Sequence, residues 1–429
     1  MPEIFLYFIW QFQYFTKNRL ITTDGEFIQV LHPGFRNNNA GPDFTNARLL
    51  INDVEWVGTV EMHTRTSDWL VHRHQYDRAY DNVILHVVWQ DDRVANGAQV
   101  DRANGTPLPT LELQPLIDPT LLDRYTLLSS SVEAIPCAGQ FRNVTPLHIT
   151  SMLDKAMMQR LERKASDVQH IVEQTGGDWE ETAYRLLAIN MGFKINADPM
   201  AQLSRTVPLK AILKHRDVLP QVEAMLFGVA GLLEVDEPDE YTKMLQREYR
   251  FMAAKYALAD KEMLAHIWKW GRLRPANFPT LRLAQFARLV THHASLFSLF
   301  VATPDVERLL KALQIIPSDY WLAHYRFGKE TDKGAPTLGL TSAENIVINT
   351  AVPLLAAYAH HRDQPAYIDW AIELLEKLSA EKNHLTENWD TLGLGIRTAF
   401  DSQAAIELYN EFCSVKKCLS CQIGAALLK

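Results

Sequence analysis

Cysteine is scarce in this chain: 4 in 429 residues, at positions 137, 413, 418 and 421. That excludes a small secreted fold stapled by disulfides, and a chain of this length buries enough core to need no such staples. An excess of positive charge is also missing. With 43 Lys and Arg against 51 Asp and Glu, the net charge is −8. A uniformly basic nucleic-acid binder is thereby excluded, although a local basic groove is not. Long hydrophobic runs are absent near the start. The apolar stretch from Ile4 to Phe15 is interrupted by Gln11 and Gln13, and it is shorter than the roughly 20 residues that span a bilayer. Glu3 stands before it where a secretory signal carries basic residues, and no small-residue cleavage site follows. The expectation is a cytoplasmic protein with no membrane partner. No repeat of fixed period occurs, so a solenoid of identical units is not expected. What is present is ordinary for a globular protein, 47% hydrophobic and 22% charged residues, and the length favours two domains.

The two parts differ in their periodicity. Residues 1–140 are expected to form an α+β domain. A first helix is predicted over Pro2 to Lys17, and Thr23-Asp24-Gly25-Glu26 reads as a hairpin turn between strands Arg19 to Thr22 and Phe27 to Leu31. His32 to Pro42 is rich in turn residues. Strands are predicted at Phe44 to Ile51, Trp56 to Thr64 and Thr110 to Leu113, with Asn52-Asp53 as the turn joining the first two. A helix is predicted over Trp69 to Tyr80. Val83 to Trp89 is nearly continuous in apolar residues, as a central strand buried on both faces should be. Residues 141–429 then read as a larger, irregular all-α domain. Thr145-Pro146 supplies a helix start, and Asp178-x-x-Glu181 and Thr341-x-x-Glu344 have capping-box spacing.

The most informative feature is Asp43 together with Glu61-x-His63. Residues two apart on a strand point to one face, so Glu61 and His63 share a face, and Asp43 at the start of the preceding strand can lie beside them. Two carboxylates with a third polar group suit a hard divalent cation, Mg or Mn, and metal-activated water. His63 would then act as base or phosphate donor. The plain alternative is that Asp43 bonds local turn amides and that Glu61 and His63 form a solvated edge. His86 in the central strand joins the candidate catalytic set only if its face also carries Glu61 and His63; a lone strand histidine is more often a hydrogen-bonded core residue. On the predicted helix, His74 and Asp77 are three apart and can share a metal, whereas His72 and His74 are about 200° apart and cannot.

Cys413-x4-Cys418-x2-Cys421 has the look of a metal half-site, for zinc or an iron–sulfur cluster, with Cys137 as the only remaining thiol to complete it. The alternative is thiols packed as small apolar groups. Between Lys261 and Arg288 lie six basic residues and one acid. Lys269, Arg272 and Arg274 there are candidates for phosphate contacts with DNA or RNA, with Trp268 and Trp270 for stacking on bases. The alternative is core tryptophans with a solvated basic rim.

Two resemblances follow from these residues. Gly41-Pro42-Asp43 with Glu61-x-His63, in the order helix, strand, strand with Asp, strand with Glu-x-His, helix, strand, resembles the PD-(D/E)-x-K nucleases of the restriction-endonuclease-like fold, with His63 where that family usually has Lys. That resemblance implies a mixed sheet with flanking helices and a metal-dependent nuclease or phosphodiesterase. The alternative is a non-catalytic nucleic-acid or protein interaction module on the same fold. The segments His32-Pro33-Gly34, Asn39 to Phe44, Gly58 to His63, Ser67-Asp68-Trp69, His72 to Asp77, Ile84 to Val88, Arg272 to Pro279 and Cys418-Leu419-Ser420-Cys421 resemble the bacterial family catalogued as domain of unknown function 2851. That second resemblance implies membership and no particular activity.

Overall fold

The computed structural model describes all residues except 38, 94–99, 304, 332–336 and 429. Contacts within the chain divide it into two units, residues 1–152 with 409–429, and residues 153–408. The sequence boundary near 140 therefore falls close to the first division, but the cysteine-bearing tail groups with the α/β unit and not with the helical one.

The α/β unit opens with α1 (Glu3–Phe12), which buries Phe5, Leu6, Phe8, Ile9 and Trp10. It stops short of the predicted Lys17 because Gln13 adopts a left-handed conformation and closes the helix. Seven strands follow: β1 (Leu20–Ile21), β2 (Phe27–His32), β3 (Phe35–Arg36), β4 (Phe44–Ile51), β5 (Val54–Arg65), β6 (Val83–Gln90) and β7 (Thr110–Glu112). They form one sheet in the order β1-β2-β4-β5-β6-β7, with β3 paired to β4 inside the segment expected to be only loop. Strands β1 to β5 pair antiparallel, and β5, β6 and β7 pair parallel. A mixed α/β sheet unit with a largely helical remainder is thus the architecture.

Local chemistry accounts for the pairing. Asn52 and Asp53 both take positive φ, 47° and 66°, which suits the two-residue turn whose twist matches a β-hairpin. Asn52 further ties the turn down by accepting the Phe27 N–H through Oδ1. In β6 the first six residues, Val83 to Val88, are all buried, as a strand covered on both faces requires. Gly58 sits where β5 meets the approach to β6, and a Cβ there would lie 2.5 Å from Ile84 and 2.6 Å from the Asn82 carbonyl.

The predicted helix over Trp69 to Tyr80 is replaced by three short pieces: α2 (Asp68–Val71) and 3-10 turns at His74–Tyr76 and Arg78–Tyr80. Arg73, at φ 61°, reverses the chain between the first two, and Asp77 is extended between the second and third.

The helical unit has an extensive apolar core of its own, including Tyr184, Phe227, Phe286, Phe300 and Trp321. The helical stretch 340–362 is long and apolar enough to cross a membrane, but about two-thirds of its most apolar window is buried inside the unit. Buried charges in this unit are met within it. Glu407 is fully buried and accepts from Arg163 at 2.6 and 3.1 Å, with Arg160 3.8 Å away. Glu223, also fully buried, accepts from the hydroxyls of Tyr241 and Ser318.

Candidate metal centre on the parallel edge of the sheet

The register of β5 on β6 sets Glu61 opposite His86. Neighbouring residues in register point the same way, and His63 lies two residues further along that face. The condition placed on His86 is therefore met: Glu61, His63 and His86 share one buried face, exposed by only 6%, 1% and 0%. His63 Nδ1 lies 2.9 Å from His86 Nε2, so the two rings orient each other.

The break at Arg73 then brings in two more imidazoles. His63 Nε2 lies 3.0 Å from His72 Nδ1. Glu61 Oε1 lies 3.6 Å from His63 Nε2 and 3.5 Å from His74 Nε2. The ligand atoms of His63, His72 and His74 all lie within 4.8 Å of one another. The exclusion of a His72–His74 pair held for a continuous helix. It fails here because the left-handed residue between them undoes the 200° divergence.

Aromatic packing holds this arrangement. Trp69 is fully buried, touches the rings of His63, His74 and His86 at 5.2–6.5 Å, and donates its indole N–H to the Asp101 carbonyl. Tyr80 covers His74 with ring centroids 3.8 Å apart. His72 is exposed, so solvent reaches the cluster from its side.

Asp43 takes a different part from the one its motif suggested. Its backbone N–H donates to Glu61 Oε2 at 3.0 Å. Its own carboxylate is already engaged: Oδ1 accepts from Arg36 at 2.8 Å and Oδ2 from the Met62 N–H at 3.1 Å. Arg36 in turn lies 3.5 Å above the Tyr7 ring. Asp43 thus braces Glu61 and anchors the strand, much as in the local-bonding alternative. Asp77 is not brought to the metal-ligand set; its side chain caps the second 3-10 turn through the Ala79 N–H.

The electrostatics suit a cation. Burial, followed by the nearby Asp43 carboxylate, pushes Glu61 up to about 8. Burial, followed by the neighbouring imidazoles, depresses His63 to about 2, and burial together with nearby His72 lowers His74 to about 4. Burial chiefly holds His86 near 3. These three imidazoles are therefore neutral at neutral pH, the form that binds metal. His74 Nε2 is buried without a hydrogen-bond partner, and such an atom is costly unless something else meets it.

The two other candidate regions lie elsewhere. Lys269, Arg272 and Arg274 are exposed on the helical unit. Trp268 is only 2% exposed and donates its indole N–H to the Ala230 carbonyl, and Trp270 packs on Phe278 beneath Arg326. Trp268 is therefore a core residue and no stacking platform. The four cysteines all fall in the α/β unit.

Sequence reasoning missed His72 as a ligand, Arg36 as the partner of Asp43, and Trp69 and Tyr80 as the packing around the rings. The available signal was the density of histidines from 72 to 86. A left-handed arginine leaves no mark in composition.

A sheet unit carrying three histidines and a carboxylate around one point defines a candidate metalloprotein. The chain belongs to the family described as "Protein of unknown function (DUF2851)", whose sequence model matches residues 3–384. No curated protein and no solved structure matches it significantly.

Proposed function

We propose that this protein is a metal-dependent phosphodiester hydrolase acting on nucleic acid, with the metal held by His63, His72 and His74, and with Glu61 beside them close enough to join the set. The observation that carries the reading is the gathering of the His63, His72 and His74 ligand atoms within 4.8 Å of one another, with Glu61 Oε1 3.6 Å from His63 and 3.5 Å from His74. Bonds of about 2.0–2.1 Å to a tetrahedral ion place neighbouring ligand atoms about 3.3 Å apart. Three pairs here approach that value, His63–His72 at 3.0 Å, Glu61–His74 at 3.5 Å and Glu61–His63 at 3.6 Å. Three imidazoles with one carboxylate favour zinc or another first-row transition metal over Mg, which shifts the expected cation away from the hard pair of acids. With the three histidines as its ligands, a metal here would keep a fourth position for water and would make that water nucleophilic near neutral pH. His86 fixes the His63 ring through Nδ1, the kind of outer contact that sets ligand orientation. The open side of the site is the one at His72.

The phosphodiester assignment rests on the order α1, β2, β4, β5, α2, β6, with Asp43 just before β4 and Glu61 on the adjacent β5, as in restriction-endonuclease-like enzymes. Fold analogy is a weaker support than the site itself. A non-catalytic interaction module is the second reading, favoured by one observation: Arg36 already neutralises Asp43. The test is metal analysis of the purified chain, followed by cleavage assays on single- and double-stranded DNA and RNA with Zn, Mn, Fe(II) or Mg. Cleavage lost with the metal in His72→Ala and His74→Ala supports hydrolysis. Nucleic-acid binding without cleavage under any metal supports the module. Failure to bind metal at all ends the first reading.

A further inference from the structure

The cysteines occupy a second place in the α/β unit, apart from the histidines. Cys137 lies just before the 3-10 turn Ala138–Asn143. Cys413 ends the π-helical turn Tyr409–Cys413, Cys418 opens the 3-10 turn Cys418–Ser420, and Cys421 precedes the closing helix Gln422–Leu428. That helix packs against both 3-10 turns. The contact with the second is close: a Cβ on Gly424 would stand 2.3 Å from the Cys418 carbonyl oxygen. Gln422 N–H points at the Met152 sulfur, 3.3 Å away, and Lys416 donates to the Ser129 carbonyl. Between Cys137 and Cys413 the chain makes the entire helical unit and returns.

None of the four thiols is in a disulfide. Cys137, Cys413 and Cys421 are buried, and Cys418 is half-buried. The packing of the closing helix on both 3-10 turns brings the segments that carry Cys137, Cys418 and Cys421 together. Burial and then the facing sulfurs of Cys421 and Cys418 push Cys137 up to about 12. Burial and Cys421 push Cys418 up to about 11. Cys413 is raised by burial and by the other three thiols. Four thiols on segments before and after the helical unit in the chain, borne on or beside turns packed together with one helix, are more than small apolar fillers require.

We propose that Cys137, Cys413, Cys418 and Cys421 together ligate an iron–sulfur cluster that ties the C-terminal tail to the α/β unit. Ligation turns the four thiols into thiolates, and their protons pass to solvent. A lone zinc is the less fitting occupant. Zn–S bonds of about 2.3 Å draw the four sulfurs to about 3.8 Å from one another. Among the described residues, the set whose ligand atoms gather within 4.8 Å is the histidine trio. A cluster with several irons accepts a wider set of cysteines. Lys416, which faces Cys418, offsets part of the thiolate charge.

The test is to purify the full chain anaerobically and measure iron, acid-labile sulfide and zinc per chain together with the visible absorption spectrum. Iron and sulfide in equal amounts, with a broad iron–sulfur absorption band, are expected. Cys137→Ser and Cys418→Ser should each lose most of both, while the far-ultraviolet dichroism of the helical unit persists. His72→Ala, which tests the histidine site, should leave iron and sulfide unchanged, so the two proposals fail separately. Stoichiometric zinc without sulfide overturns the cluster. So does a metal-free chain, or a Cys137→Ser chain that keeps its iron; in the last case the distant cysteine is no ligand.

Discussion

Two buried glutamates divide the molecule. Glu407, in the helical unit, is fully buried and lies against Arg163 and Arg160. Glu61, in the α/β unit, is 6% exposed; its Oε2 accepts one backbone N–H, and its Oε1 faces two neutral imidazoles. The helical unit answers Glu407 with fixed opposite charges, and its other fully buried glutamate, Glu223, with two hydroxyls. At the sheet, the nearest fixed cation, Arg36, is bonded to Asp43 instead. A group left in this state is a sign of function, because burial of an unanswered carboxyl is costly and persists only where something else is to meet it. The lesson is that neither counting buried charges nor finding one without a counter-charge is enough: Glu223 is met by two hydroxyls, whereas Glu61 is the one that faces a set of neutral ring nitrogens.

The largest effect should come from breaking the answered pair. Glu407→Ala leaves Arg160, buried to 13% side-chain exposure, without its partner, and should cost about 3–5 kcal/mol in urea unfolding of the helical unit. A loss under 1 kcal/mol would mean that the pair is no better than a surface one. Next comes the unanswered site. His86→Leu keeps every proposed ligand but removes the contact to His63 Nδ1, and should weaken metal binding about 10–100-fold by competition with a chelator. Unchanged affinity would show that His86 is only core.

The two glutamates in raised environments then predict pH dependence. Glu223, raised to about 7 chiefly by burial, binds a proton in the folded chain where the unfolded chain has lost it. Its contribution is therefore fully present below the ordinary carboxyl pKa and is lost as pH rises through about 7. The urea midpoint should fall across that window, and Glu223→Gln should flatten the fall. For the metal-free α/β unit the histidines act in the opposite direction. His63, His74 and His86 are depressed to about 2, 4 and 3, so their contribution is present above about 6.5 and is lost as pH falls below it. Glu61 must shed its proton to bind a cation, so metal affinity should rise as pH climbs towards 8. Affinity independent of pH between 6 and 8 would remove Glu61 from the ligand set. The smallest effect is expected at the exposed arginines. Arg272→Ala and Arg274→Ala should change stability by less than about 0.5 kcal/mol, so any loss of nucleic-acid affinity in them reports contact and not unfolding.

Much of the α/β architecture was legible in advance. The apolar block at Val83 and the Asn52-Asp53 turn each act over a few residues, and the strands beside them stand where those signals placed them. Glu61 and His63 could be put on one face for the same reason. The parts that were not legible depend on distant or unmarked choices. Arg73 took a left-handed conformation that its composition does not announce, and Arg36 reached Asp43 because a short strand formed inside an apparent loop.

By itself the sequence determined the elements, the two compositional halves and the residue types available for chemistry, because helix and strand periodicities are local. Only the tertiary structure decided that His72 joins His74, that His86 faces Glu61, that Asp43 is spent on Arg36, and that the closing helix packs on the turn after Cys137. Those are contacts between segments far apart along the chain. They follow from sheet register, one reversed residue and the return of the terminus, none of which any short stretch encodes.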